Sequence, residues 1–165
     1  MHDWVDAAPF RAHLSHLCAA TGLPWQVLAL HADMPLRMAE TLMAGRPGYR
    51  LPRPQAIRLL SLTAEDVRRL RSASVPAAPT ASRLRLLLGH GVGPTRIAGV
   101  LGCASEHVLA LADGVLTRTT KETALRVQVL EEGVWRGRLR RPSQARAPHA
   151  AVRAVADAPR AASAA

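Results

Sequence analysis

Guanidinium groups dominate the chemistry this chain can offer. It carries 22 Lys and Arg against 12 Asp and Glu, for a net charge of +10, and Lys121 is its single lysine. A cation excess of this kind is the electrostatic footprint of a phosphate-bearing partner. A GC-rich genome accounts for Arg over Lys but not for the excess itself. Other chemistries have less to stand on. His13 and His16 lie one helical turn apart near Cys18, yet a metal site needs further ligands and none is in sight, so a structural or solvent-facing role is expected, with no metal and no cofactor. Gly89-His-Gly-Val-Gly93 lacks the Lys and the strand context of a phosphate loop and reads as a helix stop. No carboxylate pair, Ser-His-Asp set or Cys-His pair stands at catalytic spacing, so no enzyme is expected.

The elements that must position these arginines are helical. Apolar residues make up 48% of the 165 residues but aromatics only 3%, so the core is built from Leu, Val and Ala, which favours helices over sheets. The longest uncharged stretch, Ala12 to Ala32, contains three His, Gln26 and the breaker Gly22-Leu23-Pro24, which excludes a hydrocarbon-facing helix. No signal peptide is read at the start. Cys18 and Cys103 are far apart, each within an apolar-periodic segment, so reduced thiols and a cytoplasmic location are expected.

Self-similarity organises the chain. A shift of about 69 residues aligns Leu17 with Leu86, Gly22 with Gly91, Leu28-Ala29 with Ile97-Ala98, Asp33 with Gly102, Leu42 with Leu111 and Gly45 with Gly114. After a one-residue slip, Ala56-Ile57-Arg58 aligns with Ala124-Leu125-Arg126. The first copy reads as helices over Arg11 to Ala20, Trp25 to His31, Pro35 to Ala44 and Pro54 to Leu62, with Met38, Leu42 and Met43 as the inner face of the third. The second reads as Ala81 to Gly89, Pro94 to Leu101, Ala104 to Ala112 and Thr120 to Glu132. Thr63 to Asp66 forms a capping box that opens a short Arg-rich helix. Ser72 to Pro79 reads as a linker. The expected fold is all-α: a helix-turn-helix unit over 1–73, a second over 80–138, and a disordered basic tail of Ala, Arg and Pro over 139–165.

In each copy a small residue (Ala29, Ala98) lets two helices cross, and a permissive one (Asp33, Gly102) can turn left-handed. The outer face of the next helix is then free to enter a major groove. The segments Trp4 to Pro9, Arg11-Ala-His-Leu14, Arg46-Pro-Gly48 and Arg53-Pro-Gln-Ala56 resemble tandem helix-turn-helix proteins of actinobacteria and their phages. Leu84 to Leu88, Ile97-Ala98, Leu101-Gly102, Thr119-Thr120 with Thr123-Ala124, and Leu130 to Trp135 resemble the second half of the same family, so that the resemblance spans roughly residues 3 to 136. It implies a DNA-binding, repressor-like regulator of transcription.

The candidate DNA-contacting residues are Gln26, Leu36, Arg37, Thr41, Arg46, Arg50 and Arg53 in the first unit, and Thr95, Arg96, Ser105, His107, Arg118 and Lys121 in the second. Arg37 is the strongest base-reading candidate, suited to a bidentate guanine contact. The flanking arginines suit phosphates, with a solvated charged face as the bland alternative. Arg136, Arg138, Arg140 and Arg141 suit a minor-groove arm or simply solvate the C-terminus. Glu106 and Asp113 repel phosphate, so the second unit is expected to bind weakly or not at all. The partner is therefore double-stranded DNA and not a membrane. The rivals are a helical interaction module holding a protein partner or a second copy as a homodimer, through exposed Leu36 or Leu109, and a non-specific architectural DNA binder.

Overall fold

Val5-Asp6-Ala7-Ala8-Pro9 and Val75-Pro76-Ala77-Ala78-Pro79 say the same thing twice: a short extended run, then a helix with proline in its first turn, where the missing N–H leaves nothing unpaired. The computed structural model, which describes residues 3–137, bears this out as a duplicated order of elements. The first repeat runs β1 (Trp4–Asp6), α1 (Ala8–Thr21), α2 (Trp25–His31), α3 (Leu36–Met43), β2 (Arg50–Pro52) and α4 (Arg53–Leu60), followed by α5 (Ala64–Arg69). The second runs β3 (Ser74–Pro76), α6 (Ala78–Gly89), α7 (Pro94–Leu101), α8 (Ser105–Ala112), β4 (Arg118–Thr120) and α9 (Lys121–Trp135).

The described chain is thus mostly helical, as expected, with two short antiparallel ribbons added to the all-α reading. Trp4, Val5 and Asp6 pair with Pro52, Leu51 and Arg50. Ser74, Val75 and Pro76 pair with Thr120, Thr119 and Arg118. The segment 72–79 is therefore no linker: it holds the strand that closes the second repeat and the first residues of α6. The backbone repeats the closure atom for atom, since Ala7 N–H donates to Tyr49 O and Ala77 N–H to Thr117 O, while Arg53 N–H donates to Asp3 O and Lys121 N–H to Ala73 O. The tail assigned to 139–165 lies outside the described residues, as do Arg138, Arg140 and Arg141.

Each repeat turns sharply between its second and third helices. Asp33 there has φ +52 and is the sole non-glycine residue with positive φ among those described; Gly102, its counterpart, has φ +70. The following amide closes both turns alike, Met34 N–H donating to Ala29 O and Cys103 N–H to Ala98 O. Ala29 and Ala98 are buried, so the helix pair can approach closely at both sites.

Two leucine-rich clusters form the core. Leu14, Leu17, Leu28, Leu42 and Leu59 anchor the first; Leu84, Leu87, Ile97, Val108 and Leu111 anchor the second. Each such side chain contributes roughly 1.5–3 kcal/mol when fully buried. The register in the first helices differs from the sequence alignment: Leu87, not Leu86, is the buried counterpart of Leu17, and Leu86 is exposed. The extra residue of the first repeat is taken up at the end of the helix, since α1 has 14 residues and α6 has 12. In α3 the buried face is Leu36, Ala39 and Leu42, which moves Leu36 inside and leaves Met38 and Met43 half-buried.

The repeats are joined through α9. Its Leu125 belongs to the first cluster while its Val127 and Leu130 belong to the second. Glu122 binds Arg126 at 2.8 Å and Arg71 at 3.3 Å, and Arg71 reaches on to the Thr21 carbonyl at 3.0 Å. Leu70 O accepts from the Glu122 amide. The Thr63 to Asp66 capping box forms as the sequence predicts and starts α5. Helix α1 is then tied to the turn before α5 by His13, whose Nε2–H donates to Leu62 O at 3.1 Å.

Candidate nucleic-acid interface

The arginines divide into those already engaged and those left to solvent. Arg53 closes on Asp3 at 2.9 Å, and Arg118 donates to Ser74 Oγ at 2.7 Å and to Ser74 O at 2.9 Å. Arg53 follows the end of β2 and Arg118 opens β4, so the two come from opposite ends of the ribbons, and each spends part of its guanidinium on that tie. Arg58 lies 3.7 Å from Asp33, Arg83 pairs with Glu131, and Arg85 donates to Ala112 O at the end of α8.

Arg11, Arg37, Arg46 and Arg50 are different. All four are exposed, all belong to the first repeat, and none has an ion pair or hydrogen-bonding partner within the described residues. Arg37 stands on the solvent face of α3, with Thr41 one turn further along the same face and half-buried, its hydroxyl turned back to Arg37 O at 3.0 Å. Arg46 lies in the loop after α3, and Arg50 sits on β2 opposite Asp6 without closing a bridge to it. Arg11, which the sequence places at the head of the first helix and outside the candidate contacts, reaches across from α1 to lie against Gly45, where a Cβ would collide with its guanidinium. The one sequence signal for it was the absence of an arginine at the matching position of α6, which is Ala81.

Two predicted contacts of the first repeat are not at the surface. Leu36 is buried, 5% exposed, as part of the core. Gln26 lies half-buried in a cleft of about 190 Å3 where α9 comes over the starts of α2 and α3, with Leu36, Glu40, Val129, Gly133 and Arg136 around it. Its Oε1 is buried and accepts no bond from the described residues. Arg136 seals the same edge, reaching Glu40 at 3.2 Å and Glu132 at 3.1 Å. The physical reason is tertiary: the helical phase of α3 alone cannot reveal that a helix from the other repeat will cover its first turn.

In the second repeat the matching positions read differently. Glu106 stands where Arg37 does, Val115 where Arg46 does and Ala81 where Arg11 does, and Val115 is 72% exposed. Thr95 and Arg96 are exposed on α7, and Ser105 is half-buried at the start of α8. His107 and Arg118 meet at a cleft of about 300 Å3 with the hydroxyls of Thr119, Thr120 and Thr123. Thr120 and Thr123 bond each other at 2.9 Å there and cap α9. Lys121, half-buried, begins α9 close enough to His31 that its charge lowers the imidazole pKa further, after burial, the larger cause.

Both cysteines are unpaired and half-buried, and burial raises each thiol pKa. No described helix is long and apolar enough to cross a membrane. The fold and this surface together define a mostly helical, internally duplicated protein in which four exposed, unpartnered arginines belong to the first repeat, against exposed Arg96 in the second. No family model, curated protein or solved structure matches the chain.

Proposed function

We propose that this protein is a double-stranded DNA-binding regulator of the repressor type, in which α2 with α3 and α7 with α8 are helix-turn-helix units and the first unit makes the principal contact. The reading rests on one observation: four unpartnered guanidiniums, Arg11, Arg37, Arg46 and Arg50, surround α3 and the loop that follows it. Arg37 is the base reader, its planar fork matching guanine O6 and N7. Arg46 and Arg50 hold phosphates, which fix orientation and carry no sequence information. Thr41 lines the same face. With Gln26 and Leu36 withdrawn under α9, readout is narrow, and affinity exceeds specificity. A nucleoid location follows from such binding.

Fluorescence anisotropy with GC-rich duplexes at several salt concentrations tests this. Micromolar or tighter binding is expected, with log K falling against log salt at a slope of about −3 if three or four phosphates are neutralised. Absence of binding at low salt overturns the reading. Equal affinity for all sequences would leave a non-specific architectural binder. Leu109, 42% exposed where the first repeat has the ion-paired Glu40, favours a second role for α8 in holding a protein or a second chain. Light scattering after size exclusion, with Leu109→Glu as the variant, decides that point.

A further inference from the structure

A cleft of about 260 Å3 opens between the first turn of α1 and the loop after α3, with Arg11 on one wall and Arg46 on the other. Gly45 forms part of its floor, and the missing side chain there is what lets the Arg11 guanidinium lie across the loop. Gly45 also has φ +64, so a side-chain-bearing residue would be strained at this position as well as colliding with Arg11. Tyr49 lines the same cleft, and burial raises its phenol pKa, keeping it a neutral hydroxyl. Asp6 is the one carboxylate in the lining; its Oδ1 accepts from the Ala8 amide at 3.1 Å and caps the start of α1. No carboxylate among the described residues pairs with either guanidinium.

Two arginines in the lining of one cleft that holds a single carboxylate supply planar donor forks, which suit a tetrahedral oxyanion. We infer that this cleft seats a single phosphate group of the duplex backbone, held jointly by Arg11 and Arg46. The inference rests on the DNA-binding reading and adds to it a specific anchoring point. The second repeat cannot form an equivalent seat, because Ala81 and Val115 replace the two arginines and nothing approaches Gly114.

A shared phosphate has a thermodynamic signature that two separate contacts lack. Arg11→Ala, Arg46→Ala and the double variant should each reduce the salt slope by the same amount, about 0.9, because each removes the same phosphate; two independent phosphates would give about 1.8 for the double variant. All sequences should weaken alike. Arginine Nε–Hε NMR signals, followed while the full chain is titrated with inorganic phosphate, provide a readout that does not depend on DNA. Arg11 and Arg46 should shift together along one saturable curve. If duplexes bind but Arg11→Ala leaves the slope unchanged and phosphate leaves both signals in place, the seat is wrong and the DNA reading stands. If no duplex binds yet both signals shift with phosphate, the cleft takes a free phosphate and the duplex-backbone assignment falls with the DNA reading. An additive double variant also overturns the shared seat.

Discussion

The two repeats share their order of elements and differ in what their surfaces are free to do. In the first, Arg37, Arg46, Arg50 and Arg11 reach solvent unpaired; in the second, the matching positions are Glu106, Val115, Ala81 and an Arg118 that is tied to Ser74. In the first, the start of α3 is covered by α9; in the second, the matching stretch leaves Leu109 exposed. The backbone bonds that close the ribbons and turns are the same in both, and of the altered positions only Ala81 is buried.

The sharpest way to break the comparison is to empty the matching core positions. Leu14→Ala and Leu84→Ala each remove a side chain with 0% exposure and should each cost about 2–5 kcal/mol in urea unfolding. Because Leu125 of α9 sits in the first cluster, Leu84→Ala should lower the unfolding midpoint reported by Trp25 as well as that reported by Trp135. Independent transitions at the two tryptophans would show that the repeats are separable. Exchanging the charges at the third helices is the next largest effect. Arg37→Ala should cost about 1–3 kcal/mol on the preferred duplex and flatten the sequence preference, whereas Glu106→Arg should strengthen binding to all duplexes. If Glu106→Arg has no effect on anisotropy titrations, the second repeat does not approach DNA.

The smallest effect concerns protons. His31 ends α2 with its Nδ1 buried and unpartnered; burial first, and the Lys121 charge second, hold its pKa below the ordinary value. The unfolded chain therefore takes up the proton more readily. The stability due to neutral His31 is present in full above about pH 6.5 and is lost as pH falls through the lower folded value. The second repeat has Val100 at this position. His31→Val should therefore reduce the fall in thermal midpoint between pH 7 and pH 5, and an unchanged slope would assign that sensitivity elsewhere.

Much of this architecture was legible because proline and glycine mark it. The bounds of α2 and α7 follow from Pro24 and Pro94 at one end and from Asp33 and Gly102 at the other. The capping box at Thr63 is a local pattern that forms as written. The ribbons were not legible: three residues are too few for alternation, and Arg50-Leu51-Pro52 carries a proline that argues against a strand unless it lies at an edge, as it does here. The Val-x-Ala-Ala-Pro pair was the missed signal for them. At the candidate interface, Arg37, Arg46 and Arg50 were readable from residue type alone. The withdrawal of Gln26 and Leu36, the stapling of Arg53 and Arg118, and the approach of Arg11 to Gly45 depend on partners far away in sequence, which periodicity does not report.

The ribbons also bear on where the two copies differ. Each lays the first residues of a repeat beside those that lead from its third helix into its fourth, so the fourth helix departs from the edge where the repeat begins. Arg37 and Arg46, which have no arginine counterpart in the second copy, lie outside that shared closure.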